Sequence, residues 1–512
     1  MTRPLDVRTE AERATRVAEV PSDVLHYVDG RFVPSADGAT FETIDPSTNT
    51  ALATVAAGQA ADIAAAVAAA RRIFEDGRWP GLTGRERARV LNRVADAIEA
   101  RDERIAKLES LDAGLPITQA MGQAARAAEN FRFFADVIVT LGEDAFRVGD
   151  QQLNYVVRRP VGVAGLITPW NTPFMLETWK LAPCLASGCP SVLKPAEWSP
   201  LTANLLPEIL EEAGVPAGVV NVVHGIGEEA GAALVEHPDV PLISFTGETV
   251  TGQTIMRAAA ASLKALSMEL GGKSPVVVFA DCDVDRALDA SVFGVFSLNG
   301  ERCTAGSRIL VERPIYDDFV AAFAARAAAI QIGPPGDPTT ELGPLIHREH
   351  WDRVLSYVEL GVDEGARLVA GGSRPDHLAE GNFVAATAFA DVSSSMRIFQ
   401  EEIFGPVACL TPFEDEADAI RLANDVKYGL AAYIWTNELR RAHRVAQAIE
   451  AGMVWINSQN VRDLRTPFGG VKASGLGREG GRDSLDFYCE PQIVHVATAE
   501  LPVPRLGAAG PP

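Results

Sequence analysis

Cysteine is scarce in this chain, and its spacing excludes the simplest metal chemistry. Only six cysteines occur among 512 residues, none of them in a C-x-x-C pair, and no histidine cluster accompanies them. This spacing argues against a zinc site, and no metal is expected. So few cysteines in so long a chain fit free thiols in a reducing cytosol, and a cytoplasmic location is therefore expected.

Long apolar runs and an excess of basic residues are also missing. Nothing approaches the ~18 consecutive apolar residues of a membrane span. The segment 1–24 lacks the apolar core of a signal peptide and is expected to be mobile. Lys and Arg total 46 against 68 Asp and Glu, a net charge of −22. That sign argues against nucleic acid and against an anionic membrane as partners.

The chain does have the length for a large core, and its pattern alternates strands with helices. Its 512 residues, 47% of them hydrophobic, indicate two or three domains. A hairpin is predicted over 25–33 with Asp29 and Gly30 as its turn, and a helix over 61–76. From residue 162 short apolar runs alternate with helical stretches, which predicts a parallel sheet covered by helices. The predicted strands are Val163–Thr168, Ser191–Leu193, Val219–Val223, Pro241–Phe245 and Val276–Phe279.

A thiol, a carboxylate and an amide, the side chains that aldehyde oxidation through a thioester requires, lie in distinctive surroundings. Cys303 lies in S-L-N-G-E-R-C-T-A-G (297–306), a poor setting for the small buried hydrophobe that most cysteines are. Glu269 lies in M-E-L-G-G-K (268–273), where apolar neighbours make a carboxylate costly unless it is paired or protonated. Asn171 lies in T-P-W-N-T-P (168–173). Taken singly, each has a structural reading as a core thiol, a strand-end glutamate or a turn asparagine.

These motifs, in this order, resemble those of the aldehyde dehydrogenase superfamily over roughly residues 29–490. The resemblance implies that Cys303 attacks the aldehyde to give a thiohemiacetal and then a thioester, and that Glu269 is the general base for hydrolysis to the carboxylic acid. Asn171 and the Cys303 backbone N–H are expected to form the oxyanion hole, where one donor typically contributes about 10²–10³ in rate. Lys180 and Glu479 are expected to relay protons.

The same resemblance implies a nicotinamide cofactor and favours NAD. Lys194 and Glu197, in K-P-A-E, are expected at the adenosine ribose, where a carboxylate accepts from the 2′-hydroxyl and repels a 2′-phosphate. Lys194 keeps NADP open. Glu248 replaces the serine common at its position and would repel the pyrophosphate, so backbone N–H groups are expected to bind it. The other residues expected to bind the cofactor are Thr168, Pro169, Trp170, Gly227, Phe245, Gly247, Gly271, Glu402 and Phe404.

The implied architecture is an α/β aldehyde dehydrogenase fold with three parts. A Rossmann-type NAD-binding domain is expected over 25–147 and 160–270, and an α/β catalytic domain over 271–483. Strands at 148–159 and 484–500 are expected to form a small β extension used for oligomerisation, in a homodimer or homotetramer. The Pro- and Gly-rich tail 501–512 is expected to be disordered.

The segment V-R-D-L-R-T (461–466) before the general P-F-G-G motif resembles the hydroxymuconic semialdehyde dehydrogenases of aromatic-ring catabolism. It predicts a carboxylated semialdehyde as substrate, such as 5-carboxymethyl-2-hydroxymuconate semialdehyde. Arg462 and Arg465 lie just before Phe468, a predicted pocket residue, and a guanidinium suits two-point binding of a carboxylate. At least one of the two arginines is expected to do so. The alternative is that they pair with Asp463 or a neighbouring subunit.

Other functions remain open on the sequence alone. A broad-specificity or betaine-type aldehyde dehydrogenase has the same motifs. CoA-acylating relatives usually lack the base at the Glu269 position, so its presence favours hydrolysis by water. A cysteine hydrolase needs a histidine activator, and no histidine lies in these motifs. A non-catalytic binding protein with the same fold has no need of Cys303, Glu269 and Asn171 together.

Overall fold

The computed structural model describes residues 20–507. Within that range no helix has both the length and the apolar character to cross a membrane. The α-helices, numbered along the chain, are α1 (Ala60–Asp76), α2 (Gly84–Glu99), α3 (Asp102–Asp112), α4 (Ile117–Thr140), α5 (Pro173–Ser187), α6 (Leu206–Ala213), α7 (Ala232–Glu236), α8 (Thr249–Ala259), α9 (Val284–Phe296), α10 (Tyr316–Ala329), α11 (Arg348–Asp363), α12 (Arg397–Gln400), α13 (Glu416–Asn424), α14 (Leu439–Ala448) and α15 (Gly481–Phe487).

The strands form two large sheets and three small ones. Numbered along the chain they are β1 (Asp23–Val24), β2 (His26–Val28), β3 (Arg31–Val33), β4 (Thr40–Asp45), β5 (Thr50–Ala56), β6 (Ala145–Val148), β7 (Gln152–Pro160), β8 (Ala164–Ile167), β9 (Ser191–Lys194), β10 (Val220–Val222), β11 (Leu242–Thr246), β12 (Ala265–Glu269), β13 (Pro275–Val278), β14 (Arg308–Glu312), β15 (Arg367–Ala370), β16 (Thr387–Ala390), β17 (Val407–Phe413), β18 (Tyr428–Gly429), β19 (Ala431–Trp435), β20 (Met453–Ile456), β21 (Val471–Lys472), β22 (Gly475–Leu476) and β23 (Cys489–Ala497).

The first large sheet has the strand order β22-β12-β11-β8-β9-β10-β2-β3. Its five central strands are parallel. Taken in chain order they follow the 3-2-1-4-5 pattern of a Rossmann fold, which confirms the predicted parallel sheet. These strands read as short apolar runs because helices cover both faces of such a sheet. From β8 the chain adds β9 and β10 on one side of the sheet and then returns to add β11 and β12 on the other side. Ligands bind such sheets at the carboxyl ends of the strands, beside the point where the strand order reverses.

The predicted hairpin and first helix are confirmed beside this sheet. β2 and β3 pair through a two-residue turn in which Asp29 and Gly30 have left-handed φ values of 53° and 77°, the geometry that favours an Asp-Gly sequence. α1 begins at a capping box in which Asp62 accepts the backbone N–H of Gln59 at 2.9 Å. It ends at Gly77, also left-handed, as helices commonly do.

The second large sheet has the order β15-β16-β17-β14-β13-β19-β20, all parallel except the edge strand β15. Apolar side chains are packed in one cluster on each of its faces. The loop that contains Cys303 joins the one-turn 3₁₀ segment 297–300 to β14 in the middle of this sheet. Only residues 270–274 join β12 of the first sheet to β13 of the second. Gly272 in this connection touches the Cys303 carbonyl, so the Cys303 loop lies where the two sheets meet.

Antiparallel pairing of β6, β7 and β23 builds a separate three-stranded sheet. β7 and β23 pair along nine residues each, from Gln152 opposite Ala497 to Pro160 opposite Cys489. The segment 484–487, expected as strand, instead completes α15, because its first residues continue the helical turn that starts at Gly481. β6 adds a third strand outside the predicted extension. The role of this sheet in oligomerisation stays a prediction.

The predicted boundaries differ from the structure at two further places. Residues 23–24, within the segment expected to be mobile, form β1 and pair with β5. Residues 475–476, assigned to the catalytic domain, form β22 and pair with β12 of the first sheet. The rest of the mobile-segment prediction, 1–19, and residues 508–512 of the tail lie outside the described residues. Residues 501–507 form neither helix nor strand.

Candidate active site

One cavity of about 380 Å³ lies where the carboxyl ends of β8, β11 and β12 face the Cys303 loop. It brings together residues from distant parts of the chain, as the order of the central strands requires. The predicted site residues that line it are Pro169, Trp170, Asn171, Gly247, Glu248, Glu269, Gly271, Cys303, Glu402, Phe404, Arg462, Phe468 and Glu479.

The turn that leads into Cys303 is strained and firmly anchored. Leu298, Asn299 and Gly300 have successive left-handed φ values of 54°, 59° and 73°, which only glycine adopts at little cost. A Cβ on Gly300 would lie 2.3 Å from the carbonyl carbon of Gly405. The Asn299 amide is fully buried and hydrogen-bonds three backbone groups of neighbouring segments. These contacts hold the loop in a conformation that it would not keep alone.

The Cys303 thiol lies in an environment that opposes its ionisation. Burial, followed by the nearby carboxylates of Glu402 and Glu269, raises its pKa to about 11. The guanidinium groups of Arg302 and Arg462 act in the opposite direction and lower it. Since the thiolate is the reactive form of cysteine, these arginines favour the nucleophile.

Asn171 is held next to the Cys303 loop. It follows β8 and is buried, and its side-chain Nδ2 donates to the backbone carbonyl of Glu301 at 2.8 Å. An amide NH₂ group has two N–H donors. One is therefore fixed by the loop, and the other can serve a ligand oxygen.

Glu269 is a buried carboxylate without a hydrogen bond. It is the last residue of β12, and neither of its oxygens has a hydrogen-bond partner within residues 20–507. Burial and the adjacent Glu479 raise its pKa well above the usual range, although Lys180 and two arginines oppose the shift. A Cβ on Gly469 would lie 2.7 Å from Glu269 Oε1, so glycine is needed there. Such an unpaired carboxylate is costly, and it is typical of functional sites.

Lys180 and Glu479 form a buried ion pair behind Glu269. Lys180 Nζ lies 2.7 Å from Glu479 Oε1. Trp179 Nε1 donates to the other carboxylate oxygen at 2.5 Å, and Ser244 Oγ donates to Oε1 at 3.1 Å. Glu479 lines the cavity, whereas Lys180 lies beneath it. Because each charge has its partner, the pair can be kept in the interior.

The residues predicted to bind the adenosine ribose lie at the end of β9. Lys194 Nζ and Glu197 Oε2 form an ion pair at 2.7 Å, so the lysine is neutralised by the neighbouring carboxylate. Thr168, one residue beyond β8, is buried, and its hydroxyl has no hydrogen-bond partner in the described chain. None of the three lines the main cavity.

The two glycine-containing turns predicted to approach the pyrophosphate differ in structure. Gly227 begins a five-residue π-helical turn before α7, and a Cβ there would meet no atom within 4 Å. Glu248 is the N-cap of α8 and is exposed at the cavity. Phe245 does not line the cavity, because its ring packs beneath Gly247, where a Cβ would lie 2.5 Å from it. Open space and free helix N–H groups suit a phosphate.

Glu402 and Phe404 close the cavity from the second sheet. Glu402 Oε1 accepts the backbone N–H of Gly272 at 2.8 Å, and burial raises the pKa of this carboxyl to about 7. A Cβ on Gly271 would lie 1.9 Å from Glu402 Oε2, and one on Gly272 would lie 2.6 Å from the Cys303 carbonyl oxygen. The two glycines therefore allow the two sheets to meet. Phe404 packs edge-to-face on Trp170, 5.3 Å between ring centroids.

Of the two predicted arginines, only Arg462 lies in the cavity. Its guanidinium carbon is 4.7 Å from the Trp179 ring centroid and 4.2 Å from that of Phe468, and no carboxylate lies within 4.0 Å in the described structure. The Arg465 side chain is 81% exposed and pairs with Asp463 at 2.5 Å. Because a neighbour two residues away already binds it in solvent, Arg465 is not available to the cavity. Arg465 therefore matches the alternative interpretation, in which the arginine pairs with Asp463.

Sequence reasoning also missed Arg126 and Arg302 as residues of the cavity. Arg126 lies on α4 and lines the cavity, with Gln123 Oε1 at 3.2 Å as its hydrogen-bond partner. Burial and repulsion by Arg462 and Arg302 lower its pKa to about 9. Arg302 was read only as part of the cysteine motif, yet it also lines the cavity. A single arginine within the alanine-rich stretch A-A-R-A-A was the only sequence signal for Arg126.

The fold and this site define a class of enzyme. The sequence profile of the aldehyde dehydrogenase family matches residues 32–494, and the chain belongs to that family. Aldehyde dehydrogenases are NAD(P)-dependent oxidoreductases, so the predicted fold and enzyme class are confirmed.

Two of the most similar proteins are named for hydroxymuconic semialdehydes. The chain is 53% identical over 464 residues to the 5-carboxymethyl-2-hydroxymuconate semialdehyde dehydrogenase of Escherichia coli, and the match covers 90% of this chain and 97% of that protein. It is 48% identical over 477 residues to the 2-hydroxymuconic semialdehyde dehydrogenase of Pseudomonas sp. (strain CF600), with 91% and 98% covered.

Solved structures have the same fold. HpcC from Thermus thermophilus superposes with a TM-score of 0.95 at 52% identity, and the match covers 98% of both chains. An NAD⁺ complex of an aldehyde dehydrogenase from Bacillus cereus superposes with a TM-score of 0.91 at 42% identity, covering 97% of this chain and all 100% of the other.

Proposed function

We propose that this protein oxidises a carboxylated semialdehyde, such as 5-carboxymethyl-2-hydroxymuconate semialdehyde, to the carboxylic acid with NAD. One observation carries the proposal: the same cavity is lined by a thiol and by a carboxylate and a guanidinium that have no ion-pair partner in the described part of the chain. These are Cys303, Glu269 and Arg462. The names of the similar proteins from Escherichia coli and Pseudomonas support the same substrate class.

In the proposed first step, Cys303 attacks the aldehyde carbon. Its proton leaves to water, and Glu269, whose pKa is raised by burial, acts in the second step. Arg302 and Arg462 favour the thiolate. The free Asn171 N–H and the Cys303 backbone N–H donate to the developing oxyanion, as donors in such sites do.

In the proposed second step, the acyl group leaves as the acid. The nicotinamide, when bound, supplies the hydride acceptor that makes the thiohemiacetal a thioester. Once the sulfur is acylated, it can no longer compete with Glu269 for negative charge, and the carboxyl ionises more easily. Glu269 then removes a proton from water, which attacks the thioester and releases the acid and the Cys303 thiol. The Glu479–Lys180 pair behind it offers a route for that proton.

The residues around the proposed cofactor site fit NAD. Gly227 leaves open space, Glu402 has a carboxylate oxygen free of the Gly272 N–H, and Glu197, the residue proposed at the adenosine ribose, carries a negative charge beside Lys194. Such a carboxylate accepts from a ribose hydroxyl and repels a phosphate. The proposal is therefore NAD rather than NADP.

Replacement of Glu197 by glutamine is expected to relax this preference. The change removes the repelling charge and frees Lys194 from its ion pair, so the ratio of kcat/KM with NADP to that with NAD should rise about tenfold, equivalent to about 1.4 kcal/mol. Glu359→Gln removes the same charge from an exposed position on α11 and should leave the ratio unchanged. Equal ratios in the two variants would contradict the assignment.

The two predicted arginines should behave oppositely. Arg462→Gln is expected to raise KM for a carboxylated semialdehyde about 10- to 100-fold, because a hydrogen bond to a charged group contributes about 1.5–3 kcal/mol. A simple aliphatic aldehyde has no carboxylate and should show little change. Arg465→Gln is the matched control, since its side chain is exposed and paired with Asp463. Unchanged KM in Arg462→Gln would exclude Arg462 from substrate binding.

A further inference from the structure

Four arginines line the cavity: Arg353 donates to the backbone carbonyl of Glu402, and the other three lie around Cys303. Arg126, Arg302 and Arg462 all line it, and none has a carboxylate within 4.0 Å among residues 20–507. Burial lowers the pKa of Arg126, and Arg462 and Arg302 lower it further. Burial also lowers the pKa of Arg462, where Arg302 acts in the same direction and Cys303, Glu479 and Glu269 act against it. Buried cations that lack an acidic partner are unfavourable unless an anion joins them. These three arginines therefore favour a negatively charged group in their part of the cavity.

Arg302 is held separately from the other two. Its Nη1 donates to Ser297 Oγ at 2.8 Å, and its guanidinium carbon lies 5.7 Å from the Phe293 ring centroid. Both contacts belong to α9 and the turn that follows it. Arg462 is instead held between the rings of Trp179 and Phe468. Two guanidinium groups of one cavity that are fixed by different contacts suit two anionic groups of one ligand.

Arg302 also has donors to spare next to the reacting sulfur. A guanidinium has five N–H donors, and within residues 20–507 Arg302 makes one hydrogen bond, to Ser297. It directly precedes Cys303, whose loop is fixed by the buried Asn299 amide. A carboxylate bound to Arg302 would therefore be held at a set position relative to the attacked carbon.

We propose that Arg302 binds a second carboxylate of the substrate, so that the enzyme selects semialdehydes with two carboxylates over those with one. This inference rests on the proposed function, in which Arg462 binds the first carboxylate. A substrate with one carboxylate leaves Arg302 unpaired in the cavity. A substrate with two carboxylates binds both Arg302 and Arg462. The semialdehyde of 5-carboxymethyl-2-hydroxymuconate has two carboxylates, whereas that of 2-hydroxymuconate has one.

The test compares three aldehydes that carry two, one and no carboxylates: 5-carboxymethyl-2-hydroxymuconate semialdehyde, 2-hydroxymuconate semialdehyde and a simple aliphatic aldehyde. In Arg302→Gln, KM for the first should rise about 10- to 100-fold relative to the second. A loss of kcat shared by all three aldehydes would reflect the effect of Arg302 on the thiol. It does not enter the comparison, which uses the ratio of the KM values for the first two aldehydes. Arg302→Lys keeps the charge and should recover part of the selectivity.

The outcomes separate the inference from the function beneath it. If wild-type enzyme prefers the carboxylated aldehydes but Arg302→Gln changes KM for the first two equally, the second subsite is wrong and the proposed function stands. If wild-type enzyme shows no preference for either carboxylated aldehyde over the aliphatic one, the proposed substrate class itself fails. Should Arg302→Gln not fold, the same ratio measured in Arg302→Met, which removes the charge but keeps an unbranched side chain, decides, and a ratio equal to that of wild type overturns the inference.

Discussion

Replacement of Cys303 by alanine is expected to lower dehydrogenase turnover by about 10⁴- to 10⁶-fold, the range seen when a covalent nucleophile is removed. Without sulfur no thioester forms, and the remaining groups only bind the aldehyde. The measurement is NADH formation with a carboxylated semialdehyde at saturating cofactor. NAD binding, followed by the quenching of tryptophan fluorescence, should persist, because Trp170 and the cofactor-side residues are untouched.

Cys282→Ala provides the matched control for this experiment. Cys282 is also a partly exposed free thiol, but it lies before α9 and outside the cavity. It should retain turnover. Alkylation by iodoacetamide should inactivate the wild-type enzyme faster as pH rises towards the Cys303 pKa of about 11, because the thiolate fraction grows. Turnover in Cys303→Ala close to that of wild type would refute the thioester mechanism.

Replacement of Glu269 by glutamine is expected to stop the reaction after its first half. Acylation needs the thiol and the oxyanion hole, so one equivalent of NADH per site should appear as a burst. Steady-state turnover should then fall about 10²- to 10⁴-fold, the usual contribution of a general base. Rapid-mixing absorbance of NADH measures both phases in one trace. Steady turnover without a burst would show that Glu269 is not the base for hydrolysis.

Glu269→Gln should also lose the rising part of the dependence of steady-state turnover on pH. A carboxyl with a raised pKa keeps its proton to higher pH, and only its ionised form can accept a proton from water. Wild-type steady-state turnover should therefore increase as pH rises through that pKa. Glutamine does not titrate, so Glu269→Gln should lack this increase, while the control Glu359→Gln should keep it.

Most of the fold and about half of the polar residues that line the cavity could be predicted from the sequence, and one physical reason explains why. Strands buried on both faces are short apolar runs, and turns at their carboxyl ends carry ligand-binding residues, which is where Asn171 and Glu269, identified through the family resemblance, lie. Arg126 was not predicted, because a helix residue joins the site through packing between distant elements. Arg465 was expected in the cavity on spacing alone, but the direction of its side chain depends on Asp463, whose position sequence spacing does not give.

The strain of the Cys303 turn was equally hidden. Asparagine adopts left-handed backbone readily, but leucine rarely does, and the contacts of the buried Asn299 amide hold the turn in this conformation. Local propensity predicts the commonest conformation of a segment. It fails where neighbouring segments impose another.

Gly271 and Gly272 also determine how this enzyme can change over evolutionary time. At these positions the backbone meets the Glu402 side chain and the Cys303 carbonyl oxygen with no room for a Cβ. At Gly272 the contact is between two main chains, so exchanging one side chain for another cannot adjust it. Arg302 and Arg462 lie outside that contact, but both lower the pKa of the Cys303 thiol. A new substrate acquired by changing these two arginines therefore also changes the reactivity of the nucleophile.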